Sequence, residues 1–215
     1  DCDIDTAFFD CDVLVITIPY RRGLESNLDY YNQISTLLNS IPDSVTPQII
    51  FTSSTSVYPN DSKTWTEVMP ITSFSDRSNV LYKTESAFLN SRFPSAIIRL
   101  AGLFGPNRVP GRFFAGKSNI NGGNNPINLV HLDDCIGIIE TVIQNEAYHS
   151  VWNACSPDHP IKHRFYNRAA EFSGFEPASF CFEPQPYKVV DGSAITRMLG
   201  YQYSYQSPNQ IFSNA

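Results

Sequence analysis

The chain is short of charge, of paired cysteines and of long apolar runs. Charged residues make up 17% of its 215 residues against 42% hydrophobic ones, a balance that excludes a disordered or coiled-coil chain. Lys and Arg number 15 against 21 Asp and Glu, and the resulting net charge of −6 argues against nonspecific binding to nucleic acid or an anionic membrane. The longest apolar run, Val13–Ile18, is interrupted by Thr17 and falls far short of the about 20 residues a membrane helix needs. No signal-peptide pattern is present. Cys2, Cys11, Cys135, Cys155 and Cys181 form no C-x-x-C pair, which points to reduced thiols in a cytoplasmic protein rather than a disulfide framework or a zinc site. Asn60-Asp61-Ser62 has the form of a glycosylation acceptor, but nothing else indicates secretion and it reads as a loop. Repeats, low-complexity tracts and the G-x-S-x-G elbow of a serine hydrolase are also absent.

What is there is a rhythm. Val13–Ile18, stopped by Pro19, predicts a strand buried on both faces. Leu28, Tyr31, Ile34, Leu38 and Ile41 recur at helical spacing and predict a helix over 25–41. A second strand is expected at Gln48–Ser53, a helix at 77–91 from Val80, Leu81, Ala87 and Phe88, and a third strand at Ser95–Leu100. Strand, helix, strand, helix, strand is the pattern of a parallel α/β sheet. Residues 59–76 read as a long, lid-like loop. Downstream, Asp133 or Asp134 caps a helix running to Gln144, Val151–Ala154 is a strand, 161–173 a helix, Lys188–Asp191 a strand, and 193–199 a helix ended by Gly200. The tail Tyr201–Tyr205 alternates tyrosine with polar residues, as a half-exposed segment does.

Phe51-Thr52-Ser53-Ser54-Thr55-Ser56-Val57-Tyr58-Pro59 is the most informative string. Its hydroxyls follow a buried strand at the carboxyl end, where open α/β sheets bind ligands; a turn satisfying its own backbone is the alternative. Ile98–Pro106 and Asn128–Asp134 follow later strands. Taken in order and at these intervals, the three strings resemble the extended short-chain dehydrogenase/reductase superfamily, the NAD(P)-dependent sugar-nucleotide epimerases and dehydratases. Asp12–Arg22, Ile49–Tyr58, Arg99–Lys117, Val130–Gly137 and Val151–Pro160 look like its nucleoside-diphosphate-sugar epimerase-like bacterial branch.

The resemblance implies a Rossmann-like α/β sheet, incomplete at its N-terminus here, with a smaller α+β substrate lobe. Residues 1–105 would form part of the dinucleotide domain and 106–215 mainly the lobe, with 127–155 returning to the sheet. It implies NAD or NADP as cofactor, with Thr17, Ile18 and Pro19 on the ribose and pyrophosphate side. Ser53 would meet the nicotinamide ribose, and Leu100 and Gly102 would flank the ring. The catalytic hydroxyl falls at Ser54. Arg108, Arg112 and Lys117 could pair with a substrate diphosphate, or form an ordinary solvated basic loop. Helices 25–41 and 77–91 occupy the places through which family members pair, so a homodimer is expected.

Two departures stand out. The family's acid/base pair is Tyr-x-x-x-Lys with a glutamate four residues on; anchoring on Glu85 puts Leu81 at the lysine and Arg77 at the tyrosine. Arginine stays protonated and leucine carries no charge. Tyr82 and Lys83 are adjacent, about 100° apart on a helix, and do not replace the pair. The Gly-rich pyrophosphate turn is missing as well. The chain opens at Asp1 and its first methionine is Met69, so the expectation is that residues precede it: two βα units and a strand, roughly 60 residues.

Tyr58, Glu67 and His131 are candidates for the acid/base role, in that order. His131 with Asp133 and Asp134 could act as a base or as a structural cap, and fits no zinc or calcium template. His159, beside Pro160, and His163, at a helix start, read as solvated histidines rather than catalytic ones, and Phe113-Phe114 as either a pocket wall or core. The functional expectation is an atypical NAD(P)-dependent oxidoreductase or epimerase acting on a nucleotide sugar or related polyol. The alternatives are a catalytically silent dinucleotide- or nucleotide-binding sensor, and a nonfunctional fragment with an exposed sheet edge.

Overall fold

Burial follows the apolar pattern in Gln48–Ser54 and Ser95–Leu100. In the computed structural model, which describes residues 6–20 and 27–213, the first strand β1 is Val13–Ile16, followed by helix α1 (Asn27–Asn39) and strand β2 (Gln48–Ser54). Strand β3 is Lys63–Trp65, helix α2 Asp76–Leu89 and strand β4 Ser95–Leu100. Then come β5 (Gly102–Phe104), β6 (Leu129–His131), α3 (Leu132–Gln144) and β7 (Ser150–Ala154). Helix α4 (Lys162–Phe172), strand β8 (Lys188–Val190) and helix α5 (Ser193–Leu199) complete the order.

The main sheet runs β1-β2-β4-β7. β1 and β2 are parallel in register, Val13 opposite Gln48 and Ile16 opposite Phe51. The Ile49 amide bonds Pro94 O at the start of β4, and the His149 amide bonds Ser95 O just before β7 begins. Strand starts thus lie together throughout, so all the carboxyl ends share one edge. Two short parallel pairs, β3 with β8 and β5 with β6, lie outside this sheet.

The chain divides into two compact units. One comprises Asp1–Pro59, Pro70–Arg99 and Ile139–Trp152; the other comprises Asn60–Met69, Leu100–Ile138 and Asn153–Ala215. In the first, Ile49, Ile50, Phe51, Ile97, Ile98, Ile34 and Phe88 are buried, and the Phe51 and Phe88 rings stack at 4.4 Å. Each fully buried side chain of this kind contributes about 1.5–3 kcal/mol. In the second, Phe104, Ile127, Leu129 and Phe165 form a core covered by Tyr166, Tyr205, Ile211 and Phe212.

Two expectations are corrected. β1 stops at Ile16 rather than Ile18 and Val15 within it is 39% exposed; among the described residues β1 lies at one end of the sheet. Residues 59–76 are not simply a lid-like loop, because Lys63–Trp65 is a strand paired with β8 and Trp65 is buried. The tail Tyr201–Tyr205 is half-exposed as expected, and within it Tyr203 is buried, its hydroxyl donating to Gly192 O and accepting from the Cys155 amide. The helix ends agree closely with the periodicity. Ser75 and Ser78 form a capping box at the start of α2, and Gly200, at φ 73°, closes α5 in the left-handed conformation that glycine adopts freely. The expected start of the first helix at 25 and Cys2 lie outside the described residues.

Candidate functional site

The pleat of β2 divides the hydroxyl string between two directions. The Thr52 hydroxyl donates to Ile16 O of β1 at 3.4 Å. Ser53 is buried and donates to Glu85 Oε1 at 2.5 Å. Ser54, half-buried, caps a 3₁₀ turn over Thr55–Val57: its Oγ accepts from the Ser56 amide at 3.1 Å and donates to Ser56 Oγ at 3.0 Å. On the neighbouring strand, Thr17, Ile18 and Pro19 follow β1 and are exposed. Tyr30, buried in α1, fixes this exit by donating its hydroxyl to Ile18 O at 2.9 Å. Burial, with a smaller contribution from Glu85, pushes the Tyr30 phenol up to about 12, so it stays a donor at neutral pH.

Beneath the edge lies a buried ion pair. Glu85 and Arg99 have side chains 2% and 5% exposed and meet at 2.6 Å. Arg99 Nε lies 3.1 Å from both carboxylate oxygens, and its third nitrogen donates to the Tyr58 hydroxyl at 2.7 Å. The guanidinium also covers the Tyr58 ring at 4.9 Å. Although burial works against its charge, the Glu85 carboxylate outweighs that and raises the guanidinium pKa. Tyr58 is 2% exposed, a placement suited to holding structure rather than exchanging protons with a ligand. This network escaped the sequence reading, where Glu85 served only as an anchor for spacing; no local pattern pairs it with Arg99.

On α2, positions 77, 81 and 85 fall on one face, and Leu81 is buried. The Arg77 guanidinium lies over the Tyr20 ring at 5.3 Å. Tyr82, 41% exposed, packs on Phe74.

In the second unit, Leu100 is half-buried and Gly102 exposed. A side chain at Gly102 would meet Leu129 Cδ2 at 2.8 Å, so the close packing of β5 on β6 accounts for the glycine. Arg108, Arg112 and Lys117 are exposed. Arg112 lies over Phe175 at 5.8 Å, and Lys117 Nζ donates to Phe113 O at 3.1 Å. Phe113 is 57% exposed, while Phe114 packs edge-on against Tyr166 at 4.7 Å. Tyr166, pushed up to about 12 by burial, was not singled out from sequence.

His131 caps. It is buried, its Nδ1 accepts from the Asp133 amide at 3.2 Å, and its ring stacks on Tyr205 at 3.8 Å. Asp134 does not cap α3 as expected; it accepts from the Tyr201 hydroxyl and from the Ser204 and Tyr205 amides. Glu67 accepts from the Asn153 amide at 2.8 Å. His163 Nδ1 lies 3.0 Å from Gly123 O, and His159 is half-buried with burial lowering its pKa. Cys11, Cys135, Cys155 and Cys181 are free thiols. Burial, with Asp134 nearby, raises Cys135 to about 12, which makes it unreactive.

Over 96% of its length the chain is 40% identical to Protein YeeZ of Escherichia coli strain K12, covering 77% of that protein, and it matches Protein YeeZ of E. coli O157:H7 equally. The chain belongs to the YeeZ family. No family model matches it. Among solved structures, UDP-glucuronic acid 4-epimerase from Bacillus cereus in complex with NAD is 17% identical, with a TM-score of 0.74 over 94% of this chain and 72% of that one. Human epimerase family protein SDR39U1 (isoform 2) with NADPH is 20% identical, with a TM-score of 0.69 over 92% and 79%. A functionally unknown conserved protein from Silicibacter pomeroyi is 21% identical, with a TM-score of 0.68 over 91% and 73%. The YeeZ family chain therefore has the extended short-chain dehydrogenase/reductase fold, and the resemblance read from three strings holds at that level.

Proposed function

We propose that the protein is an NAD- or NADP-dependent, epimerase- or dehydratase-like protein of the cytoplasm that acts on a nucleotide sugar or related polyol. The observation that carries this reading is the edge where β1 ends in exposed Thr17–Pro19 and β2 ends in the half-buried hydroxyl of Ser54. Ligands of open parallel sheets bind outside the carboxyl ends of the strands. The residues fit the nicotinamide and ribose side of a dinucleotide: Tyr30 holds the Ile18 carbonyl and so fixes the backbone of the β1 exit, where Thr17, Ile18 and Pro19 are exposed. Ser53, Leu100 and Gly102 follow by resemblance, with the Ser53 hydroxyl already engaged by Glu85. A bound nicotinamide would supply hydride acceptance and return. Ser54 would turn its hydroxyl from Ser56 to the reacting oxygen of the substrate, a one-for-one exchange of hydrogen bonds. Arg108, Arg112 and Lys117 would meet a diphosphate. Residues 1–105 would carry the cofactor and 106–215 mainly the substrate, with pairing through α1 and α2 in a homodimer.

A second reading, binding without turnover, is favoured by the three candidate proton carriers. Tyr58 accepts from Arg99, Glu67 accepts from the Asn153 amide, and His131 caps α3. Titrating the full chain with NADH and NADPH, then assaying a nucleotide-sugar panel, separates the two. Dinucleotide binding with turnover lost in Ser54→Ala supports the first reading, and saturable binding without turnover the second. Failure to bind any dinucleotide or nucleotide sugar removes both.

A further inference from the structure

Residues 53 and 58 flank the turn that carries Ser54, and both end on the same ion pair. Ser53 donates to one oxygen of Glu85, Arg99 holds that carboxylate with two nitrogens, and its remaining nitrogen donates to Tyr58. The separation of the two ends of the turn is thereby set by the width of one bidentate ion pair, a rigid unit because the guanidinium is planar and forked. All four side chains are less than a tenth exposed, so water does not substitute for any link.

We infer that Glu85, Arg99 and Tyr58 are positioning residues for Ser54: they fix the direction of its hydroxyl without touching the ligand. The inference rests on the reading above that Ser54 faces the ligand. It gives Tyr58 a role other than proton transfer, and it explains why a buried ion pair stands directly under a surface turn. A hydrophobic pair of similar volume would fill that space, but it would leave the buried Ser53 and Tyr58 hydroxyls without partners and the ends of the turn unheld.

The Ser56 amide reports the Ser54 geometry directly, because it donates to Ser54 Oγ at 3.1 Å. Tyr58→Phe removes the hydroxyl held by Arg99 and keeps the ring, and Ser53→Ala releases the other end. Hydrogen exchange at Ser56 should quicken at least fivefold in both variants, while exchange in α3 and α4 stays unchanged. Arg99→Lys, which keeps charge but not the fork, should behave like Tyr58→Phe. In NADH or NADPH titrations, Tyr58→Phe should lose affinity about fivefold, and Tyr58→Phe/Ser54→Ala should be no weaker than Ser54→Ala alone, as expected of residues acting through one group. Unchanged Ser56 exchange in Tyr58→Phe overturns the inference even if dinucleotides bind. Absence of dinucleotide binding removes the functional reading, and quickened Ser56 exchange then still establishes the clamp.

Discussion

The Asp134 carboxylate accepts the Tyr201 hydroxyl at 2.8 Å and, through its two oxygens, the Ser204 and Tyr205 amides as well. One fully buried side chain at the start of α3 thus ties down a tail some 70 residues further along the chain. Burial first, then the bond to Asp134, raises the Tyr201 pKa, so the phenol remains a donor. Asp134→Ala leaves these donors unsatisfied. The expected cost is about 2–3 kcal/mol, with faster proteolysis between Gly200 and Ser207. Urea unfolding and limited digestion check both, and an unchanged digestion pattern would show that the tail is held by other contacts.

Removing one partner of the Glu85–Arg99 pair leaves a buried charge alone. Glu85→Gln or Arg99→Met should each destabilise by about 3–5 kcal/mol, lowering Tm by roughly 6–20 °C at about 2–4 °C per kcal/mol for a chain of this size. The joint replacement Glu85→Leu/Arg99→Met should recover much of that loss. A double variant no more stable than either single one argues against an uncompensated charge as the cause.

His159 gives stability a pH dependence. Burial lowers its pKa below the ordinary 6.5, and backbone and carboxylate neighbours only partly oppose this. A folded-state value below the unfolded one means that the neutral ring is favoured. Its contribution is therefore full above 6.5 and is lost as pH falls through the lowered value. Asp191 acts in the same direction at more acid pH: burial would raise its pKa, but the hydrogen bonds from Ser193 win and lower it. Thermal melts should show Tm falling as pH drops below about 6.5, with a shallower fall in His159→Gln. Parallel curves for wild type and variant would assign the loss to other groups.

Gly111 marks a close approach. A methyl group there would stand 2.3 Å from Ala169 O of α4, a backbone atom that cannot turn aside. Gly111→Ala should destabilise by about 1–3 kcal/mol, measurable by chemical denaturation, with Gly174→Ala, which meets nothing within 4 Å but strains a φ of 72°, as the milder comparison.

The alternation of apolar runs with helical spacing sufficed for β2, α2, β4, α3 and α5, because each buries a face whose period is local. Their order implied a parallel sheet, and the hydroxyl string after β2 could be assigned to its carboxyl edge before any coordinates. Val15 is exposed although its run is apolar, because burial of a strand face depends on what packs against it and not on its own composition. Lys63–Trp65 passed for loop because a three-residue strand acquires its character from β8, more than a hundred residues away. Alternation placed the tail Tyr201–Tyr205 at the surface correctly, but which of its tyrosines is buried depended on Cys155 and Gly192, distant partners of the Tyr203 hydroxyl. The sequence by itself determined the local elements, the absence of Tyr-x-x-x-Lys and the presence of Ser54 at the sheet edge. Only the tertiary structure decided that Ser53 turns inward, that Glu85 neutralises Arg99, and that Tyr58 and His131 are held in place. Those outcomes depend on which charges and hydroxyls meet after burial, a property of distant pairs that no local period encodes.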